Sequence, residues 1–135
     1  MPAIQGSCHC GAVRIEVDTK PRQLTECNCS ICRRYGTLWA YYRGSTARIT
    51  GRTAFYARRE KGIEFHRCRT CGCVTHWAWW KPGSAVRLGI NARLLDPLAV
   101  CAIPIRMLDG DGRWKTLGRR AQPDRFISPA RRGAP

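Results

Sequence analysis

At 135 residues the chain has room for one domain, which excludes a catalytic unit paired with a separate cofactor domain. Apolar residues make up 44% of it, enough for an ordinary globular core and against wholesale disorder. Twenty-four Lys and Arg against nine Asp and Glu leave a net charge of +15, so the folded domain repels itself unless acidic partners, counter-anions or metal-bound thiolates offset that charge.

In chain order, Val13, Ile15 and Val17 alternate with Arg14 and Glu16, the period of a half-buried strand, and predict one over 12–17. Runs rich in aromatic and β-branched residues predict further strands at 38–43, 47–50, 54–57, 63–67, 74–80 and 85–90. They are separated by Gly44, Gly51, Gly62 and the Pro82-Gly83 pair. Only 30–35 and 91–95 invite a helical turn. The run 99–107 reads as a strand whose Pro104 confines it to an edge or a bulge. Asp109-Gly110-Asp111-Gly112 is a turn with no calcium-ligand spacing. The expected fold is an all-β meander over 1–118, followed by a loosely ordered basic tail over 119–135.

Residues 1–12 have neither a basic n-region nor an apolar h-region, and no run approaches the ~18–20 apolar residues of a membrane-spanning helix. A cytoplasmic protein with no membrane contact is therefore expected. Its nine cysteines then point to metal rather than to disulfides. They fall as Cys8 and Cys10, as Cys27, Cys29 and Cys32, as Cys68, Cys71 and Cys73, and as Cys101 alone.

Cys29-Ser-Ile-Cys32 and Cys68-Arg-Thr-Cys71 have the Cys-x-x-Cys spacing that converges two sulfurs on a tetrahedral zinc while backbone N–H groups support them. Gly72 follows the second pair, where a positive φ is useful. Cys8 and Cys10 flank His9 on an extended chain, so both sulfurs face one way and His9 the other. Cys101 reads as a small buried hydrophobe, and His9, His66 and His76 as packed or surface residues rather than ligands. Eight clustered sulfurs make either two four-sulfur sites, or one closed site and one three-sulfur site with an open position. A closed zinc is structural, whereas an open one is a Lewis acid able to hold a substrate thiol as thiolate.

The ordered motifs Gly6-Ser-Cys-His-Cys-Gly11, Cys27-Asn-Cys-Ser-Ile-Cys32 and Cys68-Arg-Thr-Cys-Gly72 closely resemble the glutathione-dependent formaldehyde-activating enzyme family, whose domain is shared with centromere protein V. The resemblance runs from about Gly6 to about Met107. It implies a β-tent of antiparallel sheets stapled by two zinc ions. Cys8, Cys10, Cys68 and Cys71 correspond to the structural zinc, and Cys27, Cys29 and Cys32 to the second, catalytic zinc. The implied partners are glutathione or a similar thiol and a small aldehyde, joined or released in a carbon–sulfur lyase-type reaction.

Arg33 and Arg34 follow the three-cysteine motif and are candidates for holding glutathione's carboxylates, against the alternative of a solvated basic surface. Tyr41, Trp77, Trp79 and Trp80 are either an apolar wall of the site or core residues. Cys73 departs from the family pattern: it either closes the second zinc site as a fourth ligand or stays a free thiol beside the first. Two other readings compete. The charge fits a zinc-scaffolded module binding nucleic acid or another polyanion, although no recognition helix follows either knuckle. A redox-sensing thiol protein would require a labile second metal.

Overall fold

The computed structural model describes residues 2–58, 62–81, 83 and 85–122. A small antiparallel sheet holds β1 (Ile4–Ser7), β2 (Arg14–Val17) and β5 (Ala47–Thr50) in the order β1-β2-β5. The large sheet holds β3 (Leu24–Cys27), β4 (Trp39–Arg43), β6 (Thr53–Arg58), β7 (Ile63–Cys68), β8 (Val74–Trp79), β9 (Arg87–Asn91), β10 (Ile105–Leu108) and β11 (Thr116–Arg120). Their order is β11-β10-β3-β4-β9-β8-β7-β6. All neighbours are antiparallel except β10 and β3, which run parallel. Among the described residues, two single α-helical turns, α1 (Cys32–Tyr35) and α2 (Pro97–Val100), and two tighter 3-10 turns, Gly44–Thr46 and Ala92–Leu94, complete the elements. The helical turns expected within 30–35 and 91–95 are α1 and the second 3-10 turn. Among the described residues no helix is long and apolar enough to cross a membrane.

Strand alternation gives the large sheet two different faces. On one, Leu24, Ala40, Tyr42, Ile90 and Ile105 pack against Ile15, Val17 and Ala47 of the small sheet to form the main core. On the other, Cys27, Trp39, Phe65 and Leu108 form a separate cluster with Cys29 and Cys32, and Tyr41 and Trp77 pack against it. One face therefore supplies the packing that stabilises the fold, and the other carries sulfur and aromatic rings. β3 meets β4 at the single pair Thr25–Trp39, so the two strands splay apart toward residues 19–23 and 41–43.

The all-β expectation holds, and the seven strands predicted at 12–17, 38–43, 47–50, 54–57, 63–67, 74–80 and 85–90 appear, as β2 and β4 to β9, within two residues of their expected ends. Three strands lack a readable local signal: β1 and β3 are short and carry polar residues, and β11 is largely exposed. The run 99–107 is not one strand. Asp96 accepts a hydrogen bond from the Leu98 N–H and Pro97 sits at the helix start, so 97–100 turns as α2 and only Ile105–Leu108 extends. Cys101 lies at the end of that turn, half-buried rather than in the core. The boundary expected after residue 118 falls inside β11, where Arg120 pairs with Glu26 of β3. Residues 123–135 of the expected tail lie outside the described residues.

His66 and His76 face each other across β7 and β8 as stacked rings, 4.4 Å between centroids. Thr53 Oγ1 lies 2.8 Å from His66 Nδ1, Glu64 Oε2 lies 3.1 Å from His66 Nε2, and Thr75 Oγ1 lies 2.8 Å from His76 Nδ1. Burial, with the neighbouring His66 adding to it, pushes His76 down to about 3. The unfolded chain thus binds a proton below about pH 6.5 that the folded chain refuses, so stability is lost as pH falls from there toward 3. Between pH 7 and 5 the loss is about 2 kcal/mol. Urea titrations at the two pH values should show that much less acid sensitivity in a His76→Asn variant. Equal sensitivity in both proteins would remove His76 as its source.

Candidate metal centres

The first centre joins the two ends of the fold. Cys8 follows β1, and the Gly11 N–H donates to the Cys8 carbonyl, turning the chain so that Cys10 lies beside it. Cys68 ends β7, and Cys71 lies in the turn into β8, closed by the Gly72 N–H donating to the Cys68 carbonyl with Gly72 at a φ of 78°. That positive φ is the one anticipated for glycine there. Cys10 Sγ lies 3.6 Å from both Cys8 Sγ and Cys68 Sγ, and with Cys71 all four sulfurs fall within 4.8 Å of one another.

Backbone N–H groups converge on these sulfurs and lower Cys68 and Cys71, whereas at Cys10 the Ala12 N–H favours the thiolate but burial and hydrogen bonds to Cys68 and Cys8 prevail and raise it to about 11. Val13 N–H points at Cys8 Sγ at 3.2 Å, and Thr70 and Cys71 N–H groups at Cys68 Sγ. The Cys73 N–H, followed by that of Cys10, draws Cys71 down to about 5. Cys73 packs beside this first group, not the second. The His9 N–H favours its thiolate, but burial and hydrogen bonding to Cys71 prevail and raise its pKa.

The second centre is built on the aromatic face. Cys27 ends β3, Cys29 lies in the following loop and Cys32 opens α1; all three are buried and their sulfurs lie within 4.8 Å of one another. Cys29 N–H points at Cys27 Sγ, Cys32 N–H at Cys29 Sγ, and the Trp39 indole N–H at Cys32 Sγ at 3.3 Å. A hydrogen bond from Cys32, then the N–H groups of Cys29 and Gly110, bring Cys27 down to about 6. The same bond to Cys27, together with burial, pushes Cys32 up.

Three residues that sequence spacing did not single out complete this centre. Asn28 accepts from the Asp111 N–H and donates to Asp109 Oδ1, latching the Asp-Gly-Asp-Gly turn onto the cysteine loop. Gly110 in that turn lies so close that a methyl group on its Cα would run into Cys27 Sγ. Trp114, held at a φ of 60°, borders the hollow above the three sulfurs. The hollow measures about 80 Å³, and its other walls include Trp39, Tyr41, Phe65 and Trp77. Trp79 and Trp80 are exposed and do not border it.

Neither Arg33 nor Arg34 enters that hollow. Arg33 borders a different groove that touches Cys27 and Cys32, whereas Arg34 donates to the Ser30 carbonyl at 2.6 Å and borders a groove with Tyr35 and Tyr56. Arg58 of β6 borders the hollow instead.

The donor sets suit a tetrahedral, sulfur-loving metal. Zn–S bonds of about 2.3 Å give a tetrahedral S···S edge of about 3.8 Å, close to the 3.6 Å separations at the first centre and far beyond a disulfide bond. The first group offers four sulfurs and closes its site. The second offers three, and among the described residues no further Cys, His, Asp or Glu joins it.

Known proteins place these centres in context. No curated protein matches the sequence. A crystal structure of a Rhodobacter sphaeroides protein matches the fold with a TM-score of 0.60 and 31% sequence identity, over 75% of this chain and 98% of that one. The family model described as glutathione-dependent formaldehyde-activating enzyme matches residues 3–100, a span that contains both sulfur groups. By that match, the chain belongs to the glutathione-dependent formaldehyde-activating enzyme family.

Proposed function

We propose that the chain holds two zinc ions and adds glutathione, or a similar thiol, to a small aldehyde, catalysing the reverse carbon–sulfur cleavage at the same site. The observation that carries this reading is the three-sulfur group: buried, hydrogen-bonded by backbone and indole N–H groups, and opening on an aromatic hollow. Zinc held by Cys27, Cys29 and Cys32 would lower the pKa of a visiting thiol and present its sulfur as a nucleophile. Cys8, Cys10, Cys68 and Cys71 would hold the structural ion.

The chain's own residues do the rest. Trp39, Phe65 and Trp77 wall the hollow with apolar surface, and a polar interaction is stronger beside such low-dielectric walls than in bulk water. Burial raises Tyr41, so its phenol stays protonated and can donate to the carbonyl oxygen. A C–S bond forms at the carbonyl carbon and the thiol's proton ends on the oxygen, with no redox change. The hollow, about 80 Å³, is smaller than the ~150 Å³ cavity that admits benzene, so it selects aldehydes of a few atoms.

Exchange NMR of glutathione with formaldehyde should show faster adduct exchange with the zinc-loaded chain, and only the uncatalysed rate with a Cys29→Ser variant. No acceleration with formaldehyde or any other short aldehyde would overturn the reading. Trp114→Ala should open the hollow, raising the rate with benzaldehyde relative to formaldehyde by roughly tenfold, a difference of about 1.4 kcal/mol. An unchanged ratio would remove Trp114 from substrate selection.

A further inference from the structure

A second, much larger cavity lies where β3 and β4 splay apart. It measures about 780 Å³ and is open to solvent. Lys20, Arg22, Arg43 and Arg87 line it, no Asp or Glu does, and among the described residues none of the four makes an ion pair with a carboxylate. Four cations in one cleft repel one another unless an anion joins them.

This cleft adjoins the second sulfur centre through one side chain. Tyr41 lines both the cleft and the hollow above Cys27, Cys29 and Cys32. The Arg87 guanidinium stacks over the Tyr41 ring, 4.4 Å from its centroid, and Trp77 packs against the same ring at 6.0 Å. Register accounts for this. Tyr41 and Arg43 alternate onto one face of β4, and Arg87 stands opposite Arg43 on β9. Arg106 extends the positive face beyond Thr25, to whose Oγ1 it donates at 3.2 Å while its Nε is buried without a partner.

Resting on the function proposed above, we infer that this cleft is the carboxylate subsite for the thiol ligand, with Arg43 and Arg87 gripping its carboxylates and Lys20 and Arg22 adding attraction from the far wall. A guanidinium fixed against an aromatic ring keeps its fork free for bidentate carboxylate bonding. One tyrosine ring separates the cleft from the sulfur hollow, a separation suited to a thiol several bonds away from its carboxylates. Arg33 and Arg34 do not meet this description, since neither borders the cleft or the hollow. The large cleft would thus choose the thiol and the small hollow the aldehyde.

The test uses the full chain loaded with cobalt, whose thiolate absorption reports a new sulfur ligand, together with calorimetry of S-methylglutathione, which keeps the carboxylates but has no thiol. Reduced glutathione should perturb the absorption at a concentration at least tenfold lower than 2-mercaptoethanol does. That preference should shrink with salt and disappear in an Arg43→Gln/Arg87→Gln variant, which should still respond to 2-mercaptoethanol. S-methylglutathione binding should weaken at least tenfold in the same variant, and several-fold in a Lys20→Gln/Arg22→Gln variant that leaves β4 and β9 intact.

Retention of the glutathione preference in both variants would overturn the inference. So would S-methylglutathione binding that inorganic phosphate or a single-stranded oligonucleotide displaces at equal concentration, because the cleft would then hold any anion. If no thiol perturbs the cobalt absorption, the proposed function fails by itself. S-methylglutathione binding still decides the cleft.

Discussion

Cys68→Ser is expected to unfold the chain, whereas Cys29→Ser should leave a folded protein that has lost one of its two metal ions and its activity. Cys68 and Cys10 bring together sulfurs 58 residues apart in sequence, linking the end of β7 in the large sheet to the chain that leaves β1 in the small one. A structural zinc contributes about 10–16 kcal/mol at neutral pH. Total stability for a domain this size is about 5–15 kcal/mol, so losing that ion removes most or all of it.

Cys27, Cys29 and Cys32 instead lie within one short stretch of chain. β3 stays anchored there by β10 and by the main core through Leu24. Metal content and urea denaturation of the two variants separate the cases. A Cys68→Ser protein as stable as wild type would refute the structural role of the first centre, and a Cys29→Ser protein that keeps both ions would refute the ligand assignment at the second.

The next largest effect is expected at Gly110, outside every cysteine motif. Its N–H favours the thiolate form of Cys27, and an added methyl group would be driven into the Cys27 sulfur. Gly110→Ala must therefore push the β10–β11 turn away from the sulfur centre, carrying Trp114 and the Asn28 latch with it. Overpacking of this kind costs about 1–3 kcal/mol, and here it acts directly on Cys27, the proposed ligand, so metal affinity at the second centre should fall roughly tenfold to a hundredfold. Competition with a chromophoric chelator reads this directly, with far-ultraviolet circular dichroism checking the sheets. Unchanged affinity in a folded variant would show that the turn is free to move without disturbing Cys27.

What could be read from the sequence was what lies close along the chain. Alternation located β2, runs of aromatic and β-branched residues located β4 to β9, and Cys-x-x-Cys and Cys-x-Cys spacing located both sulfur groups, because three or four residues suffice to aim two sulfurs together. What could not be read depends on distant segments meeting. Asn28 bonds the turn at Asp109 and Asp111 across about eighty residues, and nothing local to either marks the pairing.

Cys73 shows the same limit. Its spacing from Cys71 suits either centre, and only the closure of β7 onto β8 puts it beside Cys8 and Cys71. Arg33 and Arg34 follow the Cys-x-x-Cys motif directly, and only the single turn of α1 decides that Arg33 borders a groove shared with Cys27 and Cys32 and Arg34 one shared with Tyr35 and Tyr56. The cationic cleft gathers Lys20 and Arg22 from one segment, Arg43 from β4 and Arg87 from β9, which in sequence read only as part of a diffuse positive charge.

X-ray absorption at the zinc edge, on the zinc-loaded chain before and after adding reduced glutathione, tests the central claim most directly. The account predicts a shell mostly of sulfur with a minor oxygen or nitrogen component at first, and replacement of that lighter atom by sulfur once the tripeptide is added. A shell made entirely of sulfur from the outset and unmoved by glutathione, or a folded chain that takes up no zinc, would contradict it.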